Sequence, residues 1–491
     1  MKDLKVLIVA SECVPFAKTG GLADVVGTLP KYLKKAGVDV RVVIPRYYKI
    51  DRTKLTKHHE PLGVNMGTIG EQWCGVYEGV LPNSDVPIYF LDHENYFGRE
   101  NLYTEHHGEG FLDNDNRFVF LSKASFILCK MLNFQPDIIH TNDWHSAIMT
   151  VLLNTLYKDD PFFSKTASVL TIHNMQYQGI FYKGIMDVLG IDWKHFNYLE
   201  LEFKDCVNFL KGGIYHANAI NSVSEGYVRE IQTSEYGYEL DGVIRDRFDS
   251  LYGILNGCDY DEWNPKKDKY IAQNYSRKNL DGKKVCKEDL QKTFNLPIRD
   301  DVPIIGMVTR LVHQKGIDVV AEAIENILSL DVQMVLVGNG EVWAHFYFGD
   351  IMARYPHKFA CFIGYNEALA HKVEAGSDFF LMPSRFEPCG LNQMYSLKYG
   401  TVPIVRATGG LDDTVVNFDE KKLKGTGFKF YQLDSNSLYN TVGWAVYTYY
   451  NNKKGMEKLI NRGMKQKFTW EESAQKYIDL YHDAINKKFE S

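Results

Sequence analysis

The sequence predicts an α/β architecture of two doubly wound parallel-sheet domains, and three observations carry that prediction. The chain has 491 residues, more than one core comfortably serves, since domains usually run to about 100 to 200 residues. Short apolar runs rich in Val and Ile recur along it, each followed by a stretch of helical period, the pattern of parallel strands joined by crossover helices. Two nearly identical phrases, KTGGLADVV at 18–26 and ATGGLDDTV at 407–415, write the same glycine-rich loop near both ends of the chain.

In the first half the runs are KVLIVA (5–10), VRVVIP (40–45), PIYFL (87–91), DIIHT (137–141), SVLTIH (168–173) and AINSV (219–223). In the second half they are PIIGMVT (303–309), QMVLVG (333–338), FACFIG (359–364), FFLMP (379–383) and VPIVRA (402–407). Each set is expected to build its own sheet. Between them, within 251–301, LYGILNGCDYDEWNP gives way to KKDKYIAQNYSRKNLDGKKVCKEDL, a polar and lysine-rich passage that lacks a strand pattern, and a hinge is expected near Tyr252 to Asn256. That division gives domains 1–253 and 254–468, followed by 469–491, where TWEESAQKYIDLYHDAI has a helical period and Thr469 is an N-cap candidate. No solenoid-type repeat is visible.

The net charge of −6 lacks the basic footprint of a nucleic-acid binder, so no nucleic acid is expected as a partner. Eight cysteines show neither a C-x-x-C pair nor a zinc spacing and read as reduced thiols. The start, MKDLKVLIVASE, has an apolar run of five residues, shorter than a signal peptide's core of about 7 to 15. No apolar stretch is long enough to span a bilayer. A soluble, cytoplasmic protein with no membrane partner is the expectation.

In open parallel sheets, ligands bind beyond the carboxyl ends of the strands, where loops run into helix N-termini. KVLIVA followed by SECVPFAKTGGLADVV is such a strand, loop and helix. Gly20 and Gly21 allow close backbone approach to a ligand, and the helix start offers N–H groups to an anion. A tight turn without a ligand is the bland alternative, and the second glycine pair, Gly409 and Gly410, weighs against it. Neither the dinucleotide fingerprint G-x-G-x-x-G nor a Walker lysine motif is present, which disfavours a dehydrogenase or a P-loop NTPase.

Two anion-friendly loops call for nearby cations, and GMVTRLVHQKG (306–316) supplies Arg310 and Lys315 after the second half's first strand. The alternative for both is an ordinary solvated surface position. SRFEPCGLNQMYSLKYG (384–400) adds Glu387 before a helix start near Gly390 and Leu391, where a carboxylate can accept from sugar hydroxyls or merely complement the helix dipole. Cys389 reads as a packing residue. His173, in TIHNMQYQG, and Asp143, in HTNDWHS, end strand-like runs at the same predicted sheet edge as Lys18.

At this point the chain resembles the bacterial glycogen synthase and plant starch synthase family of glycosyltransferases. The resemblance rests on KTGGLADVVGTLP (18–30), DWHS (143–146), TIHNMQYQG (171–179), NGCDYDEWNP (256–265), TRLVHQKG (309–316), PSRFEPCGLNQ (383–393) and ATGGLDDTV (407–415). They span nearly the whole chain in the family's order. The resemblance implies a GT-B fold, two Rossmann-like domains facing a central cleft with the C-terminal helix packing back on the first. It implies transfer of glucose from ADP-glucose to a glycogen or malto-oligosaccharide acceptor with retention of configuration, releasing ADP.

By the same analogy, Glu387, His173, Arg310 and Lys315 form the catalytic set, the two cations holding the distal phosphates. Lys18, with the Gly20 and Gly21 backbone, approaches the same diphosphate, Tyr365 stacks on the adenine, and Asn256 contacts a sugar. Gly390, Leu391, Thr408, Gly409 and Gly410 line the substrate, while Asp143 and Tyr103 lie towards the acceptor. No cofactor or metal is implied. Where more distant retaining members carry a second glutamate eight positions after the first, this chain has Tyr395.

Overall fold

Residues 4–105 and 109–490 are described in the computed structural model of the chain. Contacts divide the chain into two units, Met1–Asn256 with Trp470–Ser491, and Gly257–Thr469.

The first unit is built on a ten-stranded sheet. Its parallel part runs in the order Leu251–Gly253, Ala219–Ser222, Ala167–Ile172, Ile138–Asn142, Lys5–Val9, Asp39–Pro45 and Pro87–Asp92. Val6, Leu7, Ile8 and Val9 are all essentially inaccessible, because helices cover both faces of a central parallel strand. That double burial is why the strand reads as an unbroken apolar run.

Beyond Pro87–Asp92 the sheet departs from the all-parallel expectation. Glu71–Val80 pairs with it antiparallel, and Thr56–Lys57 and Leu62–Asn65 pair antiparallel with Glu71–Val80 in turn. A small separate sheet joins Ile180–Tyr182, Cys206–Asn208 and Glu202–Phe203. Leu251–Gly253 lies parallel against Ala219–Ser222, so Tyr252, at one edge of the expected hinge, belongs to the sheet. Further along, the lysine-rich part forms the helix Asp281–Thr293.

The second unit holds a six-stranded sheet, parallel throughout, in the order Phe359–Ile363, Gln333–Gly340, Ile304–Leu311, Phe379–Met382, Val402–Arg406 and Phe428–Phe430. Successive side chains of a strand enter different cores, as the period of two requires. Ile305, Met307, Met334, Leu336, Phe379 and Leu381 pack on one face, and Ile304, Val335, Val337 and Phe380 on the other.

The helix Trp470–Glu490 follows the second unit in sequence but belongs to the first. Tyr481 Oη lies 2.8 Å from His140 Nδ1, Asn221 Nδ2 donates to Tyr477 Oη at 3.2 Å, and Ser473 Oγ donates to the Leu255 carbonyl at 2.7 Å. All eight cysteines are free thiols. Among the described residues no helix is long and apolar enough to cross a membrane.

Candidate active site

In each sheet the strand order reverses direction at one place, and the carboxyl ends of the two strands flanking that place form a natural crevice. In the first unit these strands are Lys5–Val9 and Ile138–Asn142, and in the second they are Ile304–Leu311 and Phe379–Met382. Most of the predicted site residues leave the sheets at these four strand ends.

After Lys5–Val9 the chain turns through Glu12, a carboxylate only 3% exposed. Its Oε2 accepts from Thr19 N at 2.5 Å and Gly20 N at 3.2 Å, and its Oε1 from Thr19 Oγ1 at 2.5 Å and Tyr103 Oη at 2.6 Å. One buried acceptor therefore fixes the glycine-rich loop. The Gly20 N–H is thus donated within the protein, and the Tyr103 hydroxyl also meets Ser11 Oγ at 2.6 Å. Burial in this acidic surrounding raises the Tyr103 phenol well above its usual range. Lys18 lies half exposed, its Nζ 2.7 Å from Asp24 Oδ1 in the first turn of the helix Gly21–Lys35.

The two glycine loops differ in their packing. A Cβ built on Gly20 or Gly21 would meet nothing within 4 Å, so the protein's own packing does not require glycine there. At Gly410 the same Cβ would sit 2.0 Å from the Cys389 carbonyl oxygen, and Gly409 has φ of 45°. Internal packing accounts for the glycine at 410, and the left-handed backbone favours the one at 409.

Asp143 opens the helix Asp143–Asn154 with φ of 52°, a left-handed conformation that is uncommon outside glycine and concentrates at functional sites. Its Oδ1 accepts from His173 N at 2.7 Å and Asn174 N at 3.3 Å. Burial nevertheless dominates and pushes its carboxyl up to about 7. His173 Nε2 lies 2.9 Å from Asn142 Oδ1, and burial lowers its imidazole to about 3, leaving it neutral. In the same unit a cavity of about 660 Å³ opens, lined among others by Trp144, Tyr177, Phe181 and Tyr238. Asn256 is buried, and its Oδ1 has no hydrogen-bond partner in the protein.

In the second unit Lys315 Nζ lies 2.5 Å from Glu387 Oε2, which also accepts from Ser384 Oγ at 3.0 Å. The Glu387 carbonyl accepts from Gly410 N at 3.0 Å, tying the two loops together. Arg310 is exposed, and its Nη2 donates to Gln314 Oε1 at 3.1 Å. Gly390, with φ of 70°, and Leu391 lead into the helix Asn392–Tyr399, and Thr408 is the N-cap residue of Gly409–Thr414. Tyr365 stands apart, 77% exposed, beyond the end of the edge strand Phe359–Ile363. Tyr395, at the position where distant relatives carry a second glutamate, stacks on Trp263 with ring centres 4.2 Å apart and planes 3° from parallel.

Sequence reasoning missed Glu12 and a bidentate pair beneath the Lys315 loop, in which Arg385 Nη1 and Nη2 donate to Asp318 at 2.6 Å each. Arg385 also donates to the His313 carbonyl at 2.7 Å, holding the loop that carries Lys315. The only sequence signal for Glu12 is its place directly after a buried strand.

A family model described as the starch synthase catalytic domain matches residues 5–246, and one for glycosyl transferases group 1 matches 289–465. The chain is 62% identical over 490 residues to glycogen synthase 1 of Geobacter metallireducens, covering 99% of this chain and 97% of the relative. It is 46% identical over 490 residues to glycogen synthase of Treponema denticola, covering 99% of each. Among solved structures, the catalytic domain of starch synthase IV from Arabidopsis thaliana, bound to ADP and acarbose, aligns with a TM-score of 0.90 at 31% identity, over 99% of this chain and all of that one. The architecture is thus of the GT-B class, and the chain belongs to the glycogen and starch synthase family of glycosyltransferases.

Proposed function

We propose that this glycosyltransferase moves glucose from ADP-glucose to the non-reducing end of an α-1,4-glucan, with retention of configuration and release of ADP. The observation that carries the reading is the Lys315–Glu387 pair at the crevice of the second sheet. A donor sugar nucleotide needs a cation for its diphosphate and an acceptor for its sugar hydroxyls, and here they are held in contact. The ADP and acarbose bound to the solved relative support a nucleotide and a glucan as ligands. The aromatic walls beside Trp144 and Tyr177 offer flat apolar faces of the kind sugar rings cover, which supports a glucan acceptor.

Breaking the glycosidic bond places negative charge on the departing diphosphate, and preorganised cations lower that barrier. Arg310 and Lys315 take this role, with the helix starts at Gly390 and Thr408 adding N–H dipoles. Lys18 and the open backbone at Gly20 and Gly21 approach the diphosphate, Tyr365 stacks on the base, and Asn256 and neutral His173 contact the sugar. Retention by double displacement would require a carboxylate nucleophile at the anomeric carbon. Glu387 is engaged by Lys315 and Ser384, and Asp143 by two backbone N–H groups, and these contacts single out neither as that nucleophile. The reading adopted here is front-face attack, with the leaving phosphate taking the acceptor's proton.

The test is nucleoside diphosphate release from ADP-glucose and UDP-glucose, each with and without glycogen. Glycogen-dependent ADP release well above UDP release is expected. Release that ignores glycogen would point to a small acceptor instead, and no release from either donor would overturn the catalytic reading.

A further inference from the structure

We propose that Glu262, Glu367 and His371, all in the second unit, form a binding site for a divalent transition-metal ion, for which Zn²⁺ fits the donor set. The sequence alone points to no metal. The fold nevertheless brings one donor atom of each residue within 4.8 Å of the others. Glu367 and His371 stand four residues apart on one face of the helix Glu367–Gly376, and Glu262 reaches them from the loop that follows Cys258.

The independent pointer to a ligand is the imidazole. His371 is 0% exposed, and its Nδ1 lies 2.7 Å from Asp268 Oδ2. Asp268 is held in turn by Tyr399 Oη at 2.5 Å and Tyr270 N at 2.8 Å. A carboxylate facing Nδ1 places the ring proton there, so Nε2 carries a lone pair. That Nε2 is buried and has no hydrogen-bond partner among the described residues. Trp263 stacks on the ring at 3.7 Å and 10°, which fixes its plane. Carboxylate, imidazole and vacant lone pair in series form the arrangement by which proteins orient and strengthen a metal-binding histidine.

The carboxylates supply the rest. Glu262 and Glu367 bring two carboxylates that repel one another into one small space. A cation relieves that repulsion. Bonds of about 2.0–2.2 Å set tetrahedral donors about 3.3 Å apart, a closure that the exposed Glu262 and Glu367 side chains reach by rotamer changes, with the fourth position left to water.

A second grouping, His195, Glu200 and His216, serves as the internal control. There His195 Nδ1 and His216 Nε2 already meet Glu200 Oε2, at 2.7 and 2.9 Å, so the nitrogens that face the carboxylate are engaged by it.

The test uses the full chain, stripped with a chelator and titrated with Zn²⁺ against a chromophoric competitor, and separately with Co²⁺ read by its visible absorption. Binding of a single ion is expected, weakened at least about 10-fold by Glu262→Gln and by Glu367→Gln and unchanged by Glu200→Gln. The Co²⁺ bands should disappear in Glu262→Gln. Both altered glutamates are exposed, so circular dichroism should report an intact fold where a His371 variant could fail to fold. Absence of a bound ion, equal affinity in the Glu262 and Glu367 variants, or loss of the ion in Glu200→Gln would each overturn the assignment.

Discussion

Lys315 Nζ and Glu387 Oε2 lie 2.5 Å apart, with the two side chains 17% and 8% exposed, and neither charge is well solvated without the other. Replacing Lys315 by Ala should lower turnover by about 10²- to 10³-fold, the scale for losing one transition-state donor. It should also destabilise the second unit, because Glu387 becomes a buried, uncompensated carboxylate. Glu387→Gln in the Lys315→Ala background should restore stability without restoring rate. A double-mutant cycle in thermal melting and steady-state kinetics checks both, and full activity in Lys315→Ala would show that the cation is not part of the chemistry.

The glycine loops separate cleanly by substitution. Gly20→Ala and Gly21→Ala should leave the melting temperature unchanged, since the added methyl meets no protein atom within 4 Å, while raising KM for the nucleotide sugar. Gly410→Ala should cost at least about 1–3 kcal/mol through overpacking against the Cys389 carbonyl. Melting curves beside KM measurements distinguish them; unaltered kinetics in the first pair would remove the first loop from donor binding.

Asp143 gives a pH signature of definite sign. Its folded carboxyl is raised from 3.8 to about 7, so the folded state keeps a proton that the unfolded chain releases. Its stabilising contribution is therefore complete below about pH 3.8 and lost as pH rises through about 7. Asp143→Asn keeps the acceptor for His173 N and tolerates the left-handed backbone. The variant's unfolding free energy should rise more steeply with pH across that window, by up to about 1.4 kcal/mol per pH unit. His173 works in the opposite direction, its proton excluded from the folded state between about 3 and 6.5. Urea titrations at several pH values decide the point, and parallel profiles for wild type and variant would contradict the raised carboxyl.

Tyr481→Phe removes the hydroxyl that meets His140 Nδ1 and leaves a buried imidazole nitrogen without its partner. A loss of about 1–3 kcal/mol is expected from the first unit, with the second unaffected. Hydrogen exchange resolved by segment would show protection falling in Ile138–Asn142 and Ala167–Ile172 only.

The parts of this fold that sequence makes legible are those where burial is symmetrical. Ile304 and Ile305 face opposite cores, so their strand appears as an unbroken run of apolar letters. Glu71–Val80 escapes that test because it is an antiparallel strand with partly exposed positions, and its letters mix Glu, Gln and Gly with Val and Tyr. At the site, Lys315 and Glu387 are legible because each directly follows a buried strand. Glu12 follows one as well, but its meaning depends on Tyr103, 91 residues away, and on loop N–H groups that no motif encodes. The repeated TGGL shows the limit of letters alone: identical motifs serve open space at Gly21 and close backbone packing at Gly410.

The helix Trp470–Glu490 completes the sheet unit that begins at the other end of the polypeptide. Emerging from the ribosome, the N-terminal half must therefore wait, with the faces of His140 and Asn221 uncovered, until some two hundred further residues have been made. A stop just after Thr469 would leave the second unit whole and take the covering helix from the first, and a protease that clips only the tail removes contacts to residues near the opposite end of the chain.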